Sequence, residues 1–124
     1  MKYILIFSAL LLNSCYEVER NCNDFKTGIF ESTITIDRVA YKSTFSRTSD
    51  LQVEVFNGVK DSTNVRWIND CEMVFKTINP KNRAEQKDIH LKILTTTESS
   101  YKFEYGYIGD TNKQKGEAKR LILE

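Results

Sequence analysis

Eight short runs of the chain alternate apolar and polar residues with a period of two, spaced roughly ten residues apart. Successive side chains of an extended chain point to opposite faces. Each run therefore offers one face to a core and one to water. The first run sets Phe30, Ile34 and Ile36 against Glu31, Thr33, Thr35 and Asp37. The next three are Tyr41/Ser43/Phe45, Leu51/Val53/Val55 and Val65/Trp67. Cys71/Met73/Phe75, Ile89/Leu91/Ile93 and Tyr101/Phe103/Tyr105/Tyr107 follow, and a last run covers Gly116–Glu124. Turn-rich stretches separate them: residues 37–40, 48–50, 57–58, 69–70, 95–100 and 109–116. Asn57-Gly58 is the sharpest, because both residues tolerate the positive φ that a two-residue hairpin turn demands.

Short strands joined by tight turns build an antiparallel meander. Eight strands can close into a small barrel whose interior is filled by side chains or holds one small ligand. Closure also removes the unpaired edges that invite aggregation. The expected fold is all-β, a calycin- or lipocalin-like small barrel, with a sandwich or open sheet as the alternative. The one polar interruption is residues 79–88. Asn79-Pro80 can cap one or two helical turns there, lying over such a sheet, or the segment can be a loop.

The N-terminus has a different pattern. Lys2 precedes a run over residues 3–12 that is apolar but for Ser8, with the charged and apolar regions of a secretory signal. The run falls short of the about 20 residues needed to cross a bilayer. It ends Leu12-Asn13-Ser14-Cys15, which resembles the lipobox of bacterial lipoproteins. That resemblance implies cleavage after Ser14 and lipid on the Cys15 thiol. The chain then divides into a signal peptide (1–14), a lipidated N-terminus and polar spacer (15–21) and one β domain (22–124). The whole chain has 18 Lys and Arg against 17 Asp and Glu, so loss of Lys2 with the leader leaves it formally neutral. No basic patch stands out for counterion release on phosphates, which argues against a nucleic-acid partner.

An exported chain can form disulfides. With Cys15 taken by lipid, Cys22 and Cys71 remain, and the simplest reading pairs them. A bridge closing residues 22–71 would contribute ~4 kcal/mol by restricting the unfolded chain. Two buried free thiols are the alternative. No CxxC or histidine pair accompanies them, so no metal site or cofactor is expected. The only histidine, His90, alternates against Ile89, Leu91 and Ile93 and is expected on the solvent side. Asp70 and Glu72 flank Cys71 as solvated turn and strand residues. No nucleophile elbow, zinc-protease helix, phosphate loop or calcium loop is present. The chain is therefore read as non-catalytic. Trp67 is either a core anchor or a contact at a barrel mouth. Tyr101, Phe103, Tyr105 and Tyr107 are either the inner face of a late strand or an exposed binding stripe.

Several stretches together resemble a group of small lipoproteins of flavobacteria and related Bacteroidetes. They are Cys15–Cys22, Asp24–Gly28, Arg66–Glu72, Ile89–Leu94, Gly109-Asp110 and Lys113–Gly116, of which Trp67–Glu72 is the most specific. Some members carry the label DNA topoisomerase IV, which a small neutral exported chain without an ATP site does not support. The group has no established activity, so the resemblance implies no catalytic residue. The expected role is a lipid-anchored cell-envelope protein docking on another envelope protein. The alternative is a barrel that binds an apolar small molecule or a sugar. The intact mass of protein extracted from its native membrane should correspond to a chain beginning at Cys15 plus acyl mass. A chain beginning at Met1 without added mass would overturn the anchor.

Overall fold

The computed structural model describes residues 20–121; Cys15, the leader and most of the spacer lie outside the described residues. Within the described residues a single 3-10 turn, Cys22–Phe25, precedes eight strands. These are β1 (Gly28–Ile36), β2 (Val39–Arg47), β3 (Leu51–Phe56) and β4 (Val59–Asn69), then β5 (Glu72–Thr77), β6 (Ile89–Thr96), β7 (Ser100–Tyr107) and β8 (Gln114–Arg120). Each pairs antiparallel with the next, and β1 pairs with β8, so the sheet closes on itself as a barrel. The sandwich and open-sheet alternatives are excluded.

The turns follow their local chemistry. Asn57 and Gly58 sit at φ 48° and 77°, the pattern of a tight hairpin turn with two left-handed residues. Asp37 and Arg38 do the same at φ 50° and 67°. Val39 and Ala40, expected in that turn, instead begin β2. Residues 79–88 form successive turns with Gln86 N–H donating to Arg83 and Lys87 N–H to Ala84, not a helix. Asn79 is at positive φ, which rules it out as a helix N-cap. Strand β8 starts at Gln114, so Gly116 belongs to the strand and not to the loop before it.

The 3-10 turn plugs one end of the barrel. Phe25 is fully buried and packs tilted against Phe30 and Tyr101, with ring centres 6.3 and 5.2 Å away. Five fastenings hold the plug. Cys22 is disulfide-bonded to Cys71 in the β4–β5 turn. Arg20 donates to the Ile93 carbonyl at 3.0 Å, and Asn21 N–H to Thr96 Oγ1 at 2.9 Å. Arg120 donates to the Asp24 carbonyl and covers the Phe25 ring. From β2, Arg47 donates to the Phe25 and Lys26 carbonyls.

Above the plug the core is aromatic and aliphatic: Phe30, Phe45, Met73, Ile93, Tyr101 and Phe103. Other inward positions are small. Ser32 and Ser43 pair across β1 and β2, and Ser32 faces Ala118 across β1 and β8. A Cβ on Gly116 would meet Phe103 Cζ at 2.6 Å, so the Phe103 ring occupies the space a side chain there would need. Small residues on these walls leave the middle of the barrel hollow.

The disulfide ties the plug to the barrel at a sequence separation of 49. The double variant Cys22→Ala/Cys71→Ala should lose about 4 kcal/mol, read from urea unfolding. A loss below about 1 kcal/mol would show that the hydrogen bonds and packing of the plug suffice without the bridge.

Candidate cavity inside the barrel

The β1–β2 and β3–β4 hairpins mark the open end, opposite the plug. A cavity of about 270 Å³ runs from that mouth into the barrel. Its two sides differ in chemistry. Strands β2 to β4 supply Arg47, Gln52, Glu54, Asp61 and Thr63. The other wall carries Phe75, Ile89, Leu91, Phe103 and Tyr105, with Tyr101 toward the floor.

The polar side arises from an inverted strand. Alternation in β3 was expected to put Leu51, Val53 and Val55 inward. Instead Glu54 pairs with inward Phe45, and Gln52 with inward Arg47, so the polar residues of β3 face the cavity. Across β4, Asp61 stands opposite Glu54 and Thr63 opposite Gln52. Leu51, Val53 and Val55 face outward. A register shift of one residue would reverse every side chain, and pairing with β2 fixes the register observed.

Arg47 closes the cavity floor at only 2% exposure. Its Nε donates to the Lys26 carbonyl at 3.2 Å and Nη1 to Gln52 Oε1 at 3.0 Å. Nη2 donates to the Phe25 carbonyl and, at 3.2 Å, to the Tyr101 hydroxyl. The rings of Phe30, Phe45, Trp67 and Tyr101 surround it, with centres 5.3 to 5.8 Å from the guanidinium carbon. Among the described residues no carboxylate forms an ion pair with it. The sequence contained a signal for this residue: Tyr41, Ser43, Phe45 and Arg47 share one phase, so alternation carries Arg47 inside with Phe45.

Burial pushes the Tyr101 hydroxyl above its ordinary pKa against the opposing pull of Arg47, so it stays a neutral acceptor. Burial also raises Tyr105, helped by the charges of Glu54 and Tyr107. Glu54 is raised first by burial and then by repulsion from Asp61, with the Ser43 hydroxyl acting the other way.

These features belong to a small hollow barrel, and the comparisons agree on the fold. A solved structure of a redesigned beta barrel is similar at a TM-score of 0.53, with 12% identity over 86% of this chain and all of that one. At that identity the likeness concerns the fold alone. No family model and no curated protein matches the chain.

Of the aromatic residues singled out in the sequence, Tyr101, Phe103 and Tyr105 line the cavity. Tyr107 is displaced to the exposed mouth at 37% exposure. Trp67 lies outside the cavity lining: it packs on the core toward the plugged end, under Lys26 at 5.1 Å. Its indole N–H is buried without an acceptor among the described residues. His90 lies on the outer face opposite Val74, with Nε2 3.0 Å from Glu72 Oε1. Asn69 first, and His90 after it, hold the Glu72 carboxyl below its usual range. Asp70 is an exposed partner of Lys26 at 3.4 Å. Neither carboxylate enters the cavity.

Glu54 gives a pH test with a definite sign. Its raised pKa means the folded chain holds the proton more tightly than the unfolded chain. Stability therefore falls as pH rises from the ordinary glutamate range, about 4.3, through the raised value, and the penalty persists above it. Glu54→Gln should be more stable than the parent at pH 7, and the difference should vanish near pH 4. Thermal unfolding at the two values checks this; an equal difference at both would remove the carboxylate charge as the cause.

Proposed function

We propose that the chain is a lipid-anchored envelope protein whose barrel binds one small molecule, without catalysing a reaction. The observation that carries this reading is the inverted strand. A sequence with Leu51, Val53 and Val55 available for the core turns Gln52 and Glu54 inward instead. That choice lowers stability, and such departures from consistent patterning concentrate at functional sites. The hollow has the composition expected of a ligand pocket, mostly apolar with a few convergent polar groups. Its volume suits a ligand on the order of ten non-hydrogen atoms.

The direction of the mouth fits an anchored receptor. Arg20 enters at the plugged end, and the span from residue 15 to residue 20 reaches at most about 18 Å. A lipid on Cys15 would hold the plug toward the membrane and leave the mouth facing away. Docking on another envelope protein is the second reading. It is favoured by the exposed apolar side chains Ile36, Val39, Tyr41, Phe56 and Val59 around that mouth.

Benzyl alcohol is a neutral probe of the right size. At about millimolar concentration it should shift the backbone amide resonances of Phe45, Phe75, Leu91 and Phe103. Thr63→Phe, which places a ring in the hollow, should abolish those shifts while cooperative unfolding is retained. Ser62→Phe, on the outer face of β4, should leave them intact. Shifts that survive Thr63→Phe, or none in the parent protein, would overturn binding in the cavity.

A further inference from the structure

The cavity has an unequal charge balance. Arg47, Glu54 and Asp61 are the charged residues that line it, one cation against two carboxylates. Arg47 is already committed. A guanidinium has five N–H groups, and Arg47 makes four bonds, two of them to plug carbonyls and the others to Gln52 and Tyr101. It is a strut between plug and wall, with little left to offer an anionic ligand.

Glu54 and Asp61 stand directly opposite one another in the β3–β4 pair. The groups that act on Glu54 are its burial, Asp61 on β4 and the Ser43 hydroxyl on β2, with no cation among them. Tyr105 on β7, four strands away around the ring of eight, senses the Glu54 charge across the cavity. Among the described residues neither carboxylate has an ion-pair partner, and both line the hollow that the aromatic wall faces. A carboxylate pair and π faces both favour a positive group, more strongly at half-buried Glu54 than at Asp61, which stands exposed at the mouth.

We infer that the cavity takes a small organic monocation, an ammonium group on a compact apolar body. The charge sits between Glu54 and Asp61, and the body lies against Phe75, Phe103 and Tyr105. This rests on the ligand-binding reading above and names the class of ligand.

Three probes of one shape separate the outcomes: benzylammonium, benzyl alcohol and benzoate, titrated into the parent protein at pH 7 with amide shifts as readout. Benzylammonium should bind about ten-fold more tightly than benzyl alcohol, and benzoate most weakly. Glu54→Gln/Asp61→Asn should bring benzylammonium down to the level of benzyl alcohol measured on the same variant. Asp61→Asn alone, at the open mouth, should give part of that loss in a minimally disturbed barrel. Lowering the pH from 7 to 4 should weaken benzylammonium alone, as Glu54, raised by its burial, takes up a proton. Equal binding of benzylammonium and benzyl alcohol overturns the inference and leaves a cavity that binds without charge selection. Benzoate binding most tightly also overturns it and makes Arg47 the anchor. Binding of none of the three overturns the cavity reading itself and this inference with it.

Discussion

The buried guanidinium of Arg47 joins the two halves of this structure. Removing a charge from water is costly unless every group around it answers that charge. Here the answer is four neutral oxygens and the faces of four aromatic rings. Two of the oxygens are carbonyls of the N-terminal plug. Those carbonyls lie where the 3-10 turn ends, and a helical end leaves acceptors without internal partners. Arg47 meets the plug's unsatisfied acceptors and the plug supplies the charge with ligands, so each makes the burial of the other tolerable. The disulfide and Arg120 then fasten the rim of the same plug.

With one end sealed in this way, the barrel can tolerate a hollow. Eight strands enclose a space that large side chains would fill. Ser32 and Thr63 in its lining do not fill it, nor do their small neighbours Ser43 and Ala118. The well-packed part of the core lies next to the plug, where Phe25, Phe30, Phe45 and Tyr101 stack and tilt against one another. Packing thins toward the mouth. The structure divides its length between a stabilising end and a permissive one, as a pre-formed binding cavity requires.

Much of the architecture was legible because alternation and turn chemistry act locally. The period-two runs located the strands, and Asn57-Gly58 located a hairpin, since these depend on neighbours in sequence. The inner aromatic stripe Tyr101, Phe103 and Tyr105 was legible for the same reason. Which way β3 faces was not. Apolar Leu51, Val53 and Val55 are the natural inward residues, and only pairing with β2 turns Gln52 and Glu54 inward. The plug was equally hidden, because a four-residue turn has no period to read and its stability comes from Arg47, Arg120 and Cys71, all distant in sequence. At residues 79–88 the Asn-Pro signal left a helical turn and a loop both open, and the backbone at Asn79 decides for the loop.

The exposed apolar residues complete the asymmetry. Among the large ones, Ile68 lies toward the plugged end, while Ile36, Val39, Tyr41, Phe56, Val59 and Tyr107 gather at the mouth. Pairing makes the reason clear. Ile36 faces Val39, and Phe56 faces Val59, on the inner side of two hairpins whose tips extend past the cavity. Inward residues of a closed barrel are buried by the opposite wall. At these tips the wall has ended, so the inward phase that builds the core below continues into water above. Tyr41 and Phe56, on the neighbouring strands β2 and β3, meet there at 6.4 Å, a remnant of core packing at the rim. The apolar rim and the cavity thus have a single origin: the same inward phase, with strands long enough to outrun the barrel that would cover them.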